Sequence, residues 1–214
     1  MIRVLRELPA RPAKHVRVGV SGGIGSGKSV LTAELGKLGA LIFDADEVVR
    51  RAIRPDGKAY NRLRDLLGTE VKPGESLNRV AARRIFAEPQ LKAAFEAILH
   101  PLVWQELDEI TDKMPDEAVL VAEIPLLTET GNHDRFDAVI TVDAPVEERL
   151  RRTVESRHFS PDEVRARISN QADTSARQVI THLWVDNVGD ESALREDAAE
   201  LWNEWLRPGA PRWR

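Results

Sequence analysis

Residues 22–29 read Gly22-Gly23-Ile24-Gly25-Ser26-Gly27-Lys28-Ser29. The stretch fits G-x-x-x-x-G-K-[ST], the spacing of a phosphate-binding loop. Glycines let the backbone turn its N–H groups inward and approach phosphate oxygens closely. A helix starting there adds its positive N-terminus. Lys28 then reaches the β- and γ-phosphates of a nucleoside triphosphate, and Ser29 can ligate Mg²⁺. The flanks agree with this reading. Val16-Arg17-Val18-Gly19-Val20 is a short β-branched run, and from Val30 onward Leu31, Leu35 and Leu38 share one helical face until Gly39 stops it. Ala40-Leu41-Ile42-Phe43 is the next strand, ending at Asp44. Strand, loop, helix and strand open a doubly wound parallel sheet.

Working outward, Ala118-Val119-Leu120-Val121-Ala122 is a nearly unbroken apolar run, as in a strand buried on both faces. Ala138-Val139-Ile140-Thr141-Val142 is another, and Trp184-Val185 a weaker fifth. Helical patterns cover 47–53, 58–67, 79–86, 90–99, 102–113, 146–155, 161–170 and 191–206, punctuated by Gly and Pro. Pro101 biases His100 away from helical geometry, so the pair is expected to separate two helices. The predicted plan is an α/β fold with a five-stranded parallel sheet flanked by helices. Its core is 16–54 and 116–214, interrupted by a helical insertion at 55–115. Residues 1–15, with Pro9 and Pro12, read as a flexible leader.

Composition narrows the classes. Of 214 residues, 42% are hydrophobic and 31% charged, enough apolar material for a real core. The net charge of −4 gives no basic excess to point at nucleic acid. Cysteine is absent, which excludes disulfides, thiolate nucleophiles and Cys-ligated metals, and suits a cytoplasmic location. No apolar run approaches the ~20 residues that span a bilayer, so no membrane is expected as a partner. The histidines show no metal-ligand spacing. No Asn-Lys-x-Asp guanine-reading motif is present. A small chain with a phosphate loop, a helical insertion and later arginines suggests a kinase for a small molecule. Another small-molecule or nucleotide kinase, or an ATP-sensing switch or binding module without turnover, is the alternative.

Asp44-Ala45-Asp46-Glu47-Val48-Val49-Arg50 follows the second strand, on the sheet edge where such folds bind ligands. A carboxylate there either accepts a proton from an attacking hydroxyl or holds Mg²⁺ through water. Arg50 lies four residues after Asp46, which also fits a helix cap with a surface ion pair. Glu123, ending the third strand, is either an acid near the metal or a strand-end charge facing solvent. Arg149 and Arg151 read as a solvated helix face.

Gly22 to Ser29, Asp44-Ala45-Asp46 with Arg50, Leu99-His100-Pro101, Pro125-Leu126-Leu127 with Glu129, Arg167-Ile168 with Gln171, and Asp186-Asn187 with Gly189 together resemble the dephospho-coenzyme A kinases. The resemblance covers nearly everything from Val16 to Leu206. It implies a P-loop kinase fold with a helical substrate domain and a lid at about 149–172. It also implies transfer of the ATP γ-phosphoryl group to the ribose 3′-hydroxyl of dephospho-coenzyme A. By the same resemblance, Gly22 to Val30 bind ATP and Asp46 is catalytic beside Lys28. Arg152 and Arg157 are lid arginines, and Asp46, Arg50, His100 and Gln171 meet the acceptor. Three places depart from the family pattern. Ser21 stands for a usual Thr, Thr128 for a large apolar residue, and Thr181-His182 for Ala-Asp.

Overall fold

The computed structural model describes residues 1–68, 77, 84, 88–157 and 159–213, with Arg157 described by its backbone alone. The predicted helix at 79–86 falls outside these residues, apart from Arg84. The chain forms two compact units. One comprises Met1–Asp44 with Met114–Arg214, the other Ala45–Lys113.

In the first unit, β1 (Ile2–Val4), β2 (Val16–Ser21) and α1 (Lys28–Leu38) lead to β3 (Leu41–Asp44). In the second, α2 (Ala45–Ala52) and α3 (Tyr60–Leu67) precede the long α4 (Pro89–Thr111). The chain then returns to the first unit through β4 (Val119–Glu123), a short α5 (Leu127–Thr130) and β5 (Ala138–Asp143). It continues through α6 (Val146–Arg157), α7 (Pro161–Ser169) and α8 (Thr174–Ile180) to β6 (Leu183–Asp186). It closes with α9 (Glu191–Leu201), whose last residues run into a π-helical turn at Trp202–Leu206.

The sheet order is β1-β6-β5-β2-β4-β3. The five predicted strands are all parallel, with β2 between β4 and β5. Their alternating Val and Ile residues are the reason: Val18, Val20, Val121, Ile140 and Val142 are fully buried, each worth about 1.5–3 kcal/mol. Leu31 and Leu35 of α1 close one face together with Leu194, Ala198 and Leu201 of α9.

The sixth strand corrects the reading of residues 1–15 as a flexible leader. β1 pairs antiparallel with β6, Ile2 opposite Val185 and Val4 opposite Leu183. The open edge of β6 has unpaired backbone groups, and β1 satisfies them. The basic residues that suggested a free arm are used structurally. Arg3 donates twice to Asp186, at 2.7 and 2.9 Å. Arg11 donates to the carbonyls of Trp205 and Leu206 and stacks on Trp213, whose indole donates to the Pro9 carbonyl.

In the second unit, His100-Pro101 does not separate two helices. α4 runs through both residues. Pro101 loses one backbone hydrogen bond, a cost of about 3 kcal/mol in a helix interior. The apolar stripe at Leu91, Leu99, Val103 and Leu107 is buried along the helix. Its N-terminal part packs with Ala52, Ala59, Leu63 and Leu67, and this packing outweighs the local preference.

Candidate active site

The parallel strands all point their C-terminal ends at one edge. There β3, β4, β5 and β6 each finish on an acid, Asp44, Glu123, Asp143 and Asp186. Asp44 lies in register with Glu123, and Asp143 with Asp186. Between these pairs, β2 ends at Ser21 and the glycine loop begins.

Gly22, Gly25 and Gly27 take φ values of 143°, 72° and 103°, a region closed to other residues without strain. Space is closed as well: a Cβ on Gly22 would overlap the Val142 carbonyl, and one on Gly27 the Asn187 amide. The loop delivers the chain into α1, whose Gly27 cap offers no side chain to its first N–H groups. Such an uncapped N-terminus is an anion site. Lys28 is buried and its Nζ donates to the carbonyls of Gly22 and Gly23, at 2.9 and 3.1 Å. The Ser29 and Thr32 hydroxyls both donate to Glu123, each at 3.1 Å. Glu123 is thus drawn to the Ser29 hydroxyl rather than left as a strand-end charge in solvent.

Buried polar groups hold the loop from behind. Asn187 Nδ2 donates to the Ser26 carbonyl at 2.8 Å, and its own N–H donates to the Asp143 carbonyl. Arg149, expected on a solvated face, is buried, and its Nε donates to the Ile24 carbonyl at 3.0 Å. The Ile24 N–H donates to Gln171 Oε1 at 2.9 Å. The next amide, Ala172, donates to Glu129 at 2.8 Å. The segment after α7 is therefore tied both to the loop and to α5. Below lies a buried pair, Arg177 and Asp143, 3.8 Å apart. Burial pushes the Asp143 carboxyl above its ordinary value, against the pull of Arg177 and Arg149. Arg151 does match its solvated-face reading, bonding Glu148 and Glu155.

Beside Gly27 is a cleft of about 360 Å³ lined by Val30, Arg152, Asn187, Gly189 and Leu194. Arg152 forms its wall. Nε donates to Glu148 at 2.7 Å, and the terminal nitrogen donates to the Gly189 carbonyl at 3.1 Å. The side chain of Arg157 lies outside the described residues. Asp46, Arg50 and His100 belong to the second unit. Asp46 is exposed in the first turn of α2, two residues after the β3 acid. Arg50 donates to Glu47 at 2.8 Å, and His100 sits half-buried within α4.

The sequence reading missed Arg149 as a loop contact. Glutamates and arginines surround it on α6, and its one signal is Thr153, four residues on and also buried.

A family model for dephospho-CoA kinase (CoaE) matches residues 16–192. The chain belongs to the dephospho-CoA kinase family. A member from Mycolicibacterium paratuberculosis is 38% identical over 197 residues, 91% of this chain and 48% of that protein. The chain thus spans about half the length of the first curated relatives it matches. A member from Thermobifida fusca is 35% identical over 194 residues, covering 90% of this chain and 97% of that one. Among solved structures, the crystal structure of TT1252 from Thermus thermophilus is similar, with 33% identity and a TM-score of 0.76. That match covers 88% of this chain and 98% of the Thermus chain. These matches show the α/β P-loop kinase fold. The hydroxyls of Ser21 and Thr128 lie 3.1 Å apart.

Among the described residues, no helix is long and apolar enough to cross a membrane, and no cluster of three His, Asp or Glu forms a metal site.

Proposed function

We propose that this chain is a cytoplasmic kinase that uses MgATP to phosphorylate the ribose 3′-hydroxyl of dephospho-CoA, the last step of CoA biosynthesis. The observation that carries the reading is the Gly22–Ser29 loop running into the uncapped N-terminus of α1, in a chain of the dephospho-CoA kinase family. The residues fit MgATP. Three left-handed glycines with no room for a Cβ make a backbone cradle, and Ser29 with Glu123 offers hard oxygen donors suited to Mg²⁺. These two residues would hold a Mg²⁺, which would supply charge neutralisation for the phosphates.

Each residue then has a task. Lys28, now resting on two loop carbonyls, moves to the phosphate oxygens. Glu123 orients the Ser29 hydroxyl. The part of the cleft lined by Val30, Asn187 and Leu194 takes the nucleotide base. Residues 149–172 form the lid, and Arg152 and Arg157 are its arginines, offsetting the charge of the moving phosphoryl group while water is excluded. The helical insertion, 55–115, holds the acceptor with His100, and Arg50 and Gln171 complete its contacts. Asp46 accepts the 3′-hydroxyl proton. In a loose transition state the nucleophile gains charge late, so Asp46 acts as much by orienting the hydroxyl as by basicity.

The test is ATP consumption with dephospho-CoA against adenosine, nucleoside monophosphates and pantothenate. Turnover with dephospho-CoA alone supports the reading. Preference for another acceptor, or ATP binding with no turnover on any of them, contradicts it.

A further inference from the structure

Burying a guanidinium is costly unless it is paired and hydrogen-bonded, and Arg149 is 4% exposed. Its Nε donates to the Ile24 carbonyl at 3.0 Å and its terminal nitrogen to Gln171 Oε1 at 3.3 Å. The same Gln171 oxygen accepts the Ile24 N–H at 2.9 Å. Arg149, Gln171 and a single residue of the phosphate loop, Ile24, thus close a ring. The fit is tight on both sides of Ile24. A Cβ on Gly23 would overlap the Arg149 guanidinium, and one on Gly25 would overlap the Arg149 carbonyl and the Thr153 hydroxyl. The first turns of α6 are a mould against which the loop is pressed. Charge adds to shape. Arg177 is also buried, 3.8 Å from Asp143, and Asp143 attracts both cations.

We propose that Arg149 is a positioning residue for the nucleotide. Together with Gln171 it fixes the backbone of Ile24 on both sides and sets the loop in its phosphate-receiving shape. The inference rests on the ATP-binding part of the proposed function and is independent of the acceptor.

Calorimetric binding of ATP and of inorganic tripolyphosphate, without acceptor, tests it on Arg149→Gln, Gln171→Ala and the double variant. Each single variant is expected to weaken both ligands roughly tenfold, because the ring acts on the phosphate loop. The double variant is expected to lose no more than the worse single one, because both act through Ile24. Thermal melts identify folded variants. If Arg149→Gln does not fold, Gln171→Ala decides alone. Unchanged tripolyphosphate affinity in folded variants overturns the proposal, as do losses that multiply in the double variant. Failure to phosphorylate dephospho-CoA would contradict the proposed function and leave this binding result standing.

Discussion

The Ser21 hydroxyl lies 3.1 Å from the Thr128 hydroxyl, so the two side chains satisfy each other. Ser21 is buried at the end of β2, where a lone hydroxyl would be costly. Ser21→Ala or Thr128→Val alone leaves one oxygen without its partner and is expected to cost about 1–2 kcal/mol. The double variant Ser21→Ala with Thr128→Val is expected to cost less than the sum. A double-mutant cycle in urea measures the difference, and strict additivity would mean that the hydroxyls are uncoupled.

β1 is expected to contribute to stability rather than chemistry. It links Leu5 N to the His182 carbonyl and Asp186 N to the Met1 carbonyl, both near 3 Å. Deleting residues 1–5 removes these bonds and the Arg3–Asp186 pair. Tm should fall by roughly 5–10 °C, at about 2–4 °C per kcal/mol for a chain of this size, and the Asp186 amide should exchange faster. An unchanged Tm would return this segment to the status of a free arm.

His182 predicts a pH dependence. Its Nδ1 accepts the Val139 N–H at 3.0 Å. Burial, with help from Arg6 and His133, holds its pKa below the ordinary 6.5. The unfolded chain therefore takes up a proton that the folded chain resists. The stabilisation is complete above pH 6.5 and is lost as pH falls through the depressed value. His182→Asn keeps an acceptor at every pH. Between pH 7.5 and 5 its Tm should fall less than that of the unaltered protein, and parallel curves would contradict the assignment.

Arg152 and Arg151 are neighbours on α6 that both border the cleft beside Gly27 and both bond Glu148. They differ in their second contacts: Arg152 is the more buried and donates to the Gly189 carbonyl, whereas Arg151 turns outward to the exposed Glu155. Arg152→Ala should lower kcat by on the order of 10²-fold, as for other arginines that meet a transferring phosphoryl group. Arg151→Ala should change it little. A loss for Arg152→Ala confined to KM for ATP would reassign it to the base pocket.

What the sequence revealed was local. Gly22 to Ser29 dictate backbone shape residue by residue, and Val18, Val121 and Ile140 carry their burial in their own pattern. What it concealed was tertiary. Nothing in Ile2-Arg3-Val4 announces the open edge of β6. Pro101 argues for a break that the buried stripe of α4 overrides. Arg149 looks solvated because its glutamate and arginine neighbours are, and its carbonyl partner belongs to a residue 125 positions away. Conversely, Thr181 and His182, which the sequence reading took as departures from the resemblance, have internal partners in the Thr141 hydroxyl and the Val139 amide.

The most direct test of the account is transfer of label from γ-labelled ATP to dephospho-CoA by the unaltered chain and by Asp46→Asn, at two Mg²⁺ concentrations. The unaltered chain should form labelled CoA. Asp46→Asn should lower kcat by roughly 10²–10⁴, the range for a general base, at both Mg²⁺ concentrations and with ATP affinity preserved, since the proposed mechanism gives the phosphates to Lys28 and the loop. An Asp46→Asn variant that regains full turnover at high Mg²⁺ would contradict the base assignment, and absence of labelled CoA with the unaltered chain would contradict the function itself.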